Sequence, residues 1–510
     1  MRWRATRDAG LEGLKAQLDA RQERIAQLEA QLDARRERIT QLEAQVGALK
    51  QREAQLEQDK AALSARVEQL EALLAQSQPG RHSSNSHRPP SMDGPGAPKR
   101  PPKAPTGRKA GGQPGHAAHD RPLLAAEQVV EFKPVQPEGC SRCGGHLQGQ
   151  QEGPEPVRHQ VVELKPIRPH VTEWRLDWGW CAHCQLWTRA QLPPGAPPGA
   201  FGPRLTALVG VMTGQLRLSK RQAQLWLTTV LGVDLSLGSL SKLEAQVSTA
   251  LQAPMEQVRS RISSAPVVHA DETSWRERAH RAWLWVAVTA QFTLFLLSGH
   301  RDRPAAQDLL GDSFRGILVT DRYGAYQWVE PSRRQVCWAH LKRDFQGWVD
   351  TGGVGAVWGK ALLEQTRQLF LLYHRVRAGT LQRTTFQHRM TLLRAEVSYL
   401  LRRAEACENP TVSGQAHAML QLEPALWTFV SVEGVEPTNN RAERALRHAV
   451  LWRKTSGGTQ SARGSCFVER ILTVVATLRQ QGRDVLEFLT GAVRAHLLGH
   501  PPPSLLPEPV

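Results

Sequence analysis

In its 510 residues the chain has no apolar run of the roughly 20 residues that span a bilayer. The longest stretch, residues 283–297, is short and broken by Thr289, Gln291 and Thr293. That reading excludes a membrane-spanning protein. The first ten residues, MRWRATRDAG, lack the apolar stretch of a secretory signal, and seven cysteines are too few for a disulfide scaffold in so long a chain. A reducing cytoplasm is the expected setting. Acid is also scarce: 48 Asp and Glu face 65 Lys and Arg, a formal charge of +17 that favours acidic polymers as partners. Length alone predicts about three or four domains.

The clearest pattern is a heptad. Stepping by seven from Leu11 and from Leu14 gives nineteen seam positions up to Leu74, of which fifteen are apolar; Arg21, Arg35, Glu53 and Lys60 are the exceptions. AQLDARQERIAQLE at 16–29 returns as AQLDARRERITQLE at 30–43, two heptads on, and no proline intervenes. An apolar seam of this length predicts a leucine-zipper-like coiled coil over 11–76, and self-association through it as a homodimer or higher oligomer. Residues 77–122 change to Pro, Gly, Ser and bases with almost nothing apolar to bury, which predicts a tether. Its Arg81, Arg88, Lys99, Arg100, Lys103, Arg108 and Lys109 either bind phosphates or simply keep the linker soluble.

Within 123–200, Cys140-x-x-Cys143 and Cys181-x-x-Cys184 supply four thiolates, a set that suits structural Zn²⁺. The intervening VRHQVVELKP and HVTEWRLDW read as strands of a zinc ribbon. A closed four-sulfur site serves folding or docking and leaves no open position for water. Residues 201–262 read as helix, short Gly-containing turn and helix, the layout of a helix-turn-helix, with Ser219 and Ser239 as caps. Arg217, Lys220, Arg221 and Lys242 are its candidate DNA contacts, although paired helices are common in any helical protein.

From Pro266 the pattern turns to strands. APVVHADE and GILVTDRYGAY are apolar runs ending in acid, which puts Asp271 and Asp321 at the carboxyl ends of neighbouring buried strands; AWLWVAVTA and FTLFLLSG form a hairpin between them. Two close carboxylates repel, and a divalent cation with oxygen ligands, most naturally Mg²⁺, relieves them. After Pro437, NNRAERALRHAVLWRK predicts a helix with Ala442, Ala445, Leu446, Ala449 and Val450 buried and Arg441, Arg444, Arg447 and His448 on a basic arc. Glu443 falls at their boundary, either facing the acids or closing a capping box from Asn440. His340, Lys342 and Arg343 in CWAHLKRDF, and Arg453, Lys454 and Arg463 around TSGGTQSARG, are candidate phosphate contacts; Trp338 and Trp452 read as core. The glycines of that loop allow close approach of main chain to DNA. The Gly-Lys-Ser/Thr ending of a nucleotide-binding loop is missing, so ATP is not expected.

HADETSW, VTDRYGAY, CWAHLKRDF and GVEPTNNRAERALRHAVLWRKTSGGTQSARG, in this order, resemble the transposases of the insertion-sequence-66 (IS66) family, over residues 80–490 or so. Members of that family similarly begin with a zipper-like arm, a Gly/Pro-rich tether and a Cys-x-x-Cys pair. The resemblance implies a multidomain α+β protein whose core, residues 263–490, has the ribonuclease-H-like fold with a helical insertion at about 357–430, followed by a tail at 491–510. It implies that Asp271, Asp321 and Glu443 are a DDE triad holding two Mg²⁺ or Mn²⁺ for cleavage and strand transfer on DNA. Element terminal repeats and target DNA are then the partners, small accessory proteins of the same element are implied too, and the setting is the bacterial nucleoid. Arg322 and Gly324 beside Asp321 depart from the family pattern without removing an acid. A non-catalytic DNA-binding regulator and a metal-dependent, structure-specific nuclease are the alternatives.

Overall fold

The computed structural model describes residues 2–77, 115–116, 121–147 and 155–507, in two units, Met1–Pro98 and Lys99–Val510. The seven linker bases named above lie outside the described residues. The described residues of the first unit form one helix, α1 (Arg2–Ser77), about 114 Å long at 1.5 Å per residue. Its seam side chains from Leu18 to Val67 stand 44–67% exposed, because a single helix has no second layer to cover them. No helix among the described residues is long and apolar enough to cross a membrane.

The second unit begins with little regular structure. Strands β1 (Trp178–Cys181) and β2 (Leu186–Arg189) form a hairpin around the Cys181–Cys184 turn. The strand expected over VRHQVVELKP does not form, and of HVTEWRLDW only its last residue, Trp178, joins a strand. Val157, Val161, Val162 and Leu164 are exposed, so a strand here would have no covered face to stabilise it. Instead the Gln160 side chain holds the backbone of Leu124, accepting its N–H at 2.8 Å and donating to its carbonyl at 3.0 Å.

Helices α2 (Pro203–Gly210), α3 (Lys220–Trp226), α4 (Leu237–Ala250) and α5 (Gln252–Ser263) follow, α2 and α3 each prolonged by a π turn. Val209, Met212, Ala223, Leu227, Leu240 and Leu243 make a small shared core. Gly232, at φ +64°, reverses the chain between α3 and α4. Ser219 caps α3 in a complete capping box with Gln222. The cap of α4 is Ser236 and not Ser239: Ser236 has the extended backbone of a cap, and Ser239, three residues on, donates its N–H to the Ser236 hydroxyl at 3.0 Å.

A mixed sheet of β3 (Val267–Glu277), β4 (His280–Val288), β5 (Thr293–Ser298), β6 (Ile317–Thr320) and β7 (Arg334–Val336) lies at the centre. Its order is β5-β4-β3-β6-β7. β3, β4 and β5 are antiparallel neighbours, whereas β6 runs parallel to β3 and β7 parallel to β6. The lack of polar alternation in AWLWVAVTA follows from burial on both faces: Leu284, Val286 and Val288 enter one core, Trp285 and Ala287 the other. The remaining helices are α6 (Arg303–Leu310), α7 (Trp338–Thr351), α8 (Gly353–Arg377), α9 (Arg383–Glu405), α10 (Pro410–Leu420), the single turns α11 (Glu423–Leu426) and α12 (Thr428–Ser431), α13 (Asn440–Ser456), α14 (Ala462–Gln480) and α15 (Val485–Leu498). The overall class is mixed α+β.

Helices α8 to α12 separate β7 and α7 from α13, and they pack with α7 around Leu362, Leu369, Phe386, Met390, Leu401 and Phe429. Their return to the sheet explains a polar strand in a buried place. Gln335 of β7 donates to the Leu426 carbonyl at 3.2 Å and accepts the Phe429 N–H at 2.8 Å, and the Thr428 hydroxyl donates to the Arg334 carbonyl. At the opposite edge, α14 seals β5. The N–H groups of Thr293, Phe295 and Leu297 donate to Thr477 (3.1 Å), Thr473 (2.9 Å) and Glu469 (2.6 Å). Two residues along a strand advance about 6.8 Å and four along a helix about 6 Å, so the ladder stays in step.

Thr473→Val keeps the shape of that side chain but strands a buried N–H, at a cost of about 1–3 kcal/mol. The thermal midpoint of the full chain should fall by about 1–2 °C for each kcal/mol lost. An unchanged midpoint would mean that the ladder contributes nothing.

Candidate active site

Asp271 sits in the middle of β3, not at its carboxyl end as the sequence predicts. Only Val267–His269 pair with β6, and the strand then runs on beside β4 to Glu277. Asp271 therefore lies just past the point where β3 loses its parallel neighbour. Asp321 directly follows β6, and the register that sets His269 opposite Val319 carries forward to bring Asp321 alongside Asp271. Backbone N–H groups of Glu272 and Tyr323 donate to Asp271 and Asp321 respectively, each at 2.9 Å. Burial pushes the Asp271 carboxyl well above the usual carboxylate range, and the negative charges of Glu272, Asp321 and Glu443 push it further.

Glu443 comes from the first turn of α13. The cap of that helix is Asn439, which makes no side-chain cap bond. Its Nδ2 donates to the carbonyl of Ala270 at 2.7 Å, tying the helix start to the residue before Asp271. Its N–H donates to Cys337 Sγ at 3.1 Å. Glu443 Oε1 is buried without a hydrogen-bond partner; the Arg343 guanidinium stands 3.5 Å away and His340 Nδ1 3.7 Å. A capping box from Asn440 is not what occupies this carboxylate.

Several residues here are not singled out by the sequence. Glu272 is buried beside Asp271, held by Arg301 through Nε (2.9 Å) and Nη2 (2.7 Å) and by the Tyr326 hydroxyl (2.7 Å). Burial and the Asp321 charge raise its carboxyl, while Tyr326 and Arg301 oppose them. Arg301 lies over the rings of Tyr323 and Trp283, at 3.9 and 4.8 Å. Arg334, 1% exposed, donates to the Asp321 carbonyl at 3.2 Å and fixes that loop from below. Arg322, the departure beside Asp321, pairs with Asp344 of α7 at 2.7 Å. The paired acids of HADETSW signal Glu272, but nothing local links it to Arg301.

The basic groups divide. Arg444 and Arg447 are exposed on α13, as are Lys342 on α7 and Lys454 at the end of α13. Arg441, Arg444, His448 and Arg479 rim a cavity of about 430 Å³ floored by Phe295, Leu472 and Val475. Lys342, Tyr373, His374, Arg377 and Arg444 share another of about 380 Å³. Arg221 is exposed on α3, but Lys220 is engaged by Ser241 at 2.9 Å and Glu244 at 3.2 Å, so it joins α3 to α4. Arg453 likewise turns inward, bonding Thr273 at 3.1 Å and the carbonyl and hydroxyl of Ser274. The close approach allowed by Gly458 is to protein too: at φ +111° it lies against the Arg276 carbonyl, and Thr459 forms a bridge with Glu277. Trp338 is fully buried and Trp452 packs against Phe467, both as core.

Each Cys-x-x-Cys closes its own knuckle. Backbone N–H groups of Arg142 and Cys143 lower the Cys140 thiol, and those of Cys184 and His183 lower Cys181. The four sulfurs do not form a single cluster. Among the described residues, the one group of three or more His, Cys, Asp or Glu ligand atoms within 4.8 Å of one another is Cys337, His340 and Glu443.

Carboxylates converging from two parallel strands and a helix beside the buried Asp271 are able to hold divalent cations. The sequence profile of the Transposase IS66 family matches residues 198–466, more than half of the chain, and the chain belongs to that family. Membership supports a transposase role. Residues 41–122 match a family of unknown function, DUF6444. Two relatives from Sinorhizobium fredii (strain NBRC 101917 / NGR234) are uncharacterized proteins. The protein y4qI is 25% identical over 303 residues, 53% of this chain and 55% of the relative. The protein y4hP is 24% identical over 365 residues, 63% of this chain and 64% of the relative. The chain thus spans less than two thirds of either.

A carboxyl raised by folding contributes stability below its unfolded pKa of about 3.9 and loses it as pH climbs through the folded value. Asp271→Asn should therefore melt above the parent in chelator at pH 7, with the gap closing as pH falls toward 4. A gap that is absent or reversed would deny the crowding of charge at Asp271.

Proposed function

We propose that this chain is a DDE-type transposase that binds the ends of its element, cleaves phosphodiester bonds with Mg²⁺ or Mn²⁺, and joins the freed 3′ end to target DNA. One observation carries the reading: Asp321 and Glu443 lie close enough to Asp271 for their negative charges to raise its buried carboxyl further. Such crowding is relieved by hard divalent cations, and a donor set of carboxylate oxygens fits them. Two bound cations would lower the pKa of the attacking water or 3′-hydroxyl and steady the leaving oxygen. Asp271, Asp321 and Glu443 would be the residues that hold them. Arg334 and the Asn439 bond to Ala270 hold these acids in register. Arg444, Arg447, Lys342 and Arg343 take backbone phosphates and fix the scissile bond in line.

The strand order and the helix that supplies the third acid after a helical insertion support a ribonuclease-H-like core over 263–490. The helix–turn–helix at 201–262, with Arg221 exposed, and the basic linker serve binding to the terminal repeats. The two knuckles, which stand apart here, would make a docking module once Zn²⁺ drew Cys140, Cys143, Cys181 and Cys184 together. The exposed seam of α1 pairs with the same seam of another copy, which brings two element ends together. Removal of residues 1–77 should lower the oligomeric state measured by light scattering, and an unchanged mass would refute that pairing.

Asp321→Asn should abolish Mg²⁺-dependent cleavage of element-end duplexes, by 10³-fold or so, while DNA affinity changes little. Cleavage surviving in that variant would remove the triad. Joining of the cut 3′ end to a second duplex separates a transposase from a nuclease, and a parent protein that binds but never cuts would be a regulator.

A further inference from the structure

We propose that Cys337, His340 and Glu443 form a second metal site, one that takes a borderline transition metal, Zn²⁺ first, on sulfur, nitrogen and oxygen. The three come from two helix starts. Cys337 and His340 flank the first turn of α7, three residues apart and so on one side of it. Glu443 is in the first turn of α13. The two starts are latched by main chain: Trp338 N–H donates to the Pro437 carbonyl at 2.9 Å and Asn439 N–H to Cys337 Sγ at 3.1 Å.

His340 Nδ1 and Glu443 Oε1 are both buried and both lack a hydrogen-bond partner. An unsatisfied buried polar atom is costly, and two that face each other call for a common partner. Their separation of 3.7 Å is too long for a hydrogen bond. It does match the edge of a tetrahedron with metal bonds of about 2.0–2.3 Å. Cys337 Sγ lies within 4.8 Å of both, so a shift on the order of 1 Å completes the triangle. Mg²⁺ prefers oxygen ligands and dehydrates reluctantly, whereas a thiolate with an imidazole selects zinc-like ions. Three protein ligands leave a fourth position open. Uptake by Cys337 releases the thiol proton as the sulfur–metal bond forms. Arg343, 3.5 Å from Glu443 Oε1, remains as an outer partner.

Such an ion would pin the α7 and α13 starts together and orient Glu443. The inference goes beyond the proposed reaction and does not depend on it, because metal uptake is read without DNA or turnover. Co²⁺ serves as the probe, titrated into the full-length protein and followed by thiolate charge-transfer absorption. A Cys140→Ser/Cys143→Ser protein removes the ribbon site. It should still bind one Co²⁺ with a single-thiolate band, and Zn²⁺ should displace that Co²⁺. Adding His340→Gln or Cys337→Ser should weaken this binding at least about tenfold, with far-ultraviolet circular dichroism unchanged. If Cys337→Ser does not fold, the half-buried His340→Gln decides alone. No single-thiolate band in the ribbon-deficient protein, or an identical band titration after His340→Gln, overturns the site. Loss of the ribbon equivalent with this one retained would count only against the four-cysteine proposal.

Discussion

Negative charge withdrawn from water is the constraint around which the second unit is organised. Asp271, Glu272, Asp321 and Glu443 are gathered where β3 parts from β6, and they differ in what holds them. Glu272 has Arg301 and Tyr326, so its charge is balanced within the fold. Asp271 and Asp321 accept hydrogen bonds from backbone N–H groups.

Much of this is legible from the chain, for reasons that can be named. The seam of α1, the all-apolar β4 and the buried arc of α13 are periodic, and period is a local property. Ser219 followed by Gln222 announces a cap. The family resemblance, carried by HADETSW, VTDRYGAY and the block around Glu443, agrees with the profile match. What escapes local reading depends on partners far along the chain. Asp271 looks like the end of a strand because polar residues follow it, yet β4 pairs with those residues and prolongs the strand. RQV looks unlike a strand of the interior until α11 and α12 return to satisfy it. Lys220 and Arg453 read as free cations, since neither Glu244 nor Ser274 can be assigned to them from spacing.

The helical insertion does more than fill the gap before the third acid. Its last turns bind β7, and β7 carries Arg334, which holds the Asp321 carbonyl. α7, which opens the same excursion, touches Glu443 through Arg343 and His340. The path from the second acid to the third thus passes through a packed body of its own, and the placement of Glu443 rests on how that body docks as much as on α13.

The seal that α14 lays along β5 has a further consequence. An outer strand with free amides invites another chain to extend the sheet, and a protein made in bulk beside its own copies is exposed to that hazard. Here three successive outward amides are already taken by Thr477, Thr473 and Glu469. Aggregation by sheet growth at this margin is closed off by side chains, without spending a proline or a lysine on it.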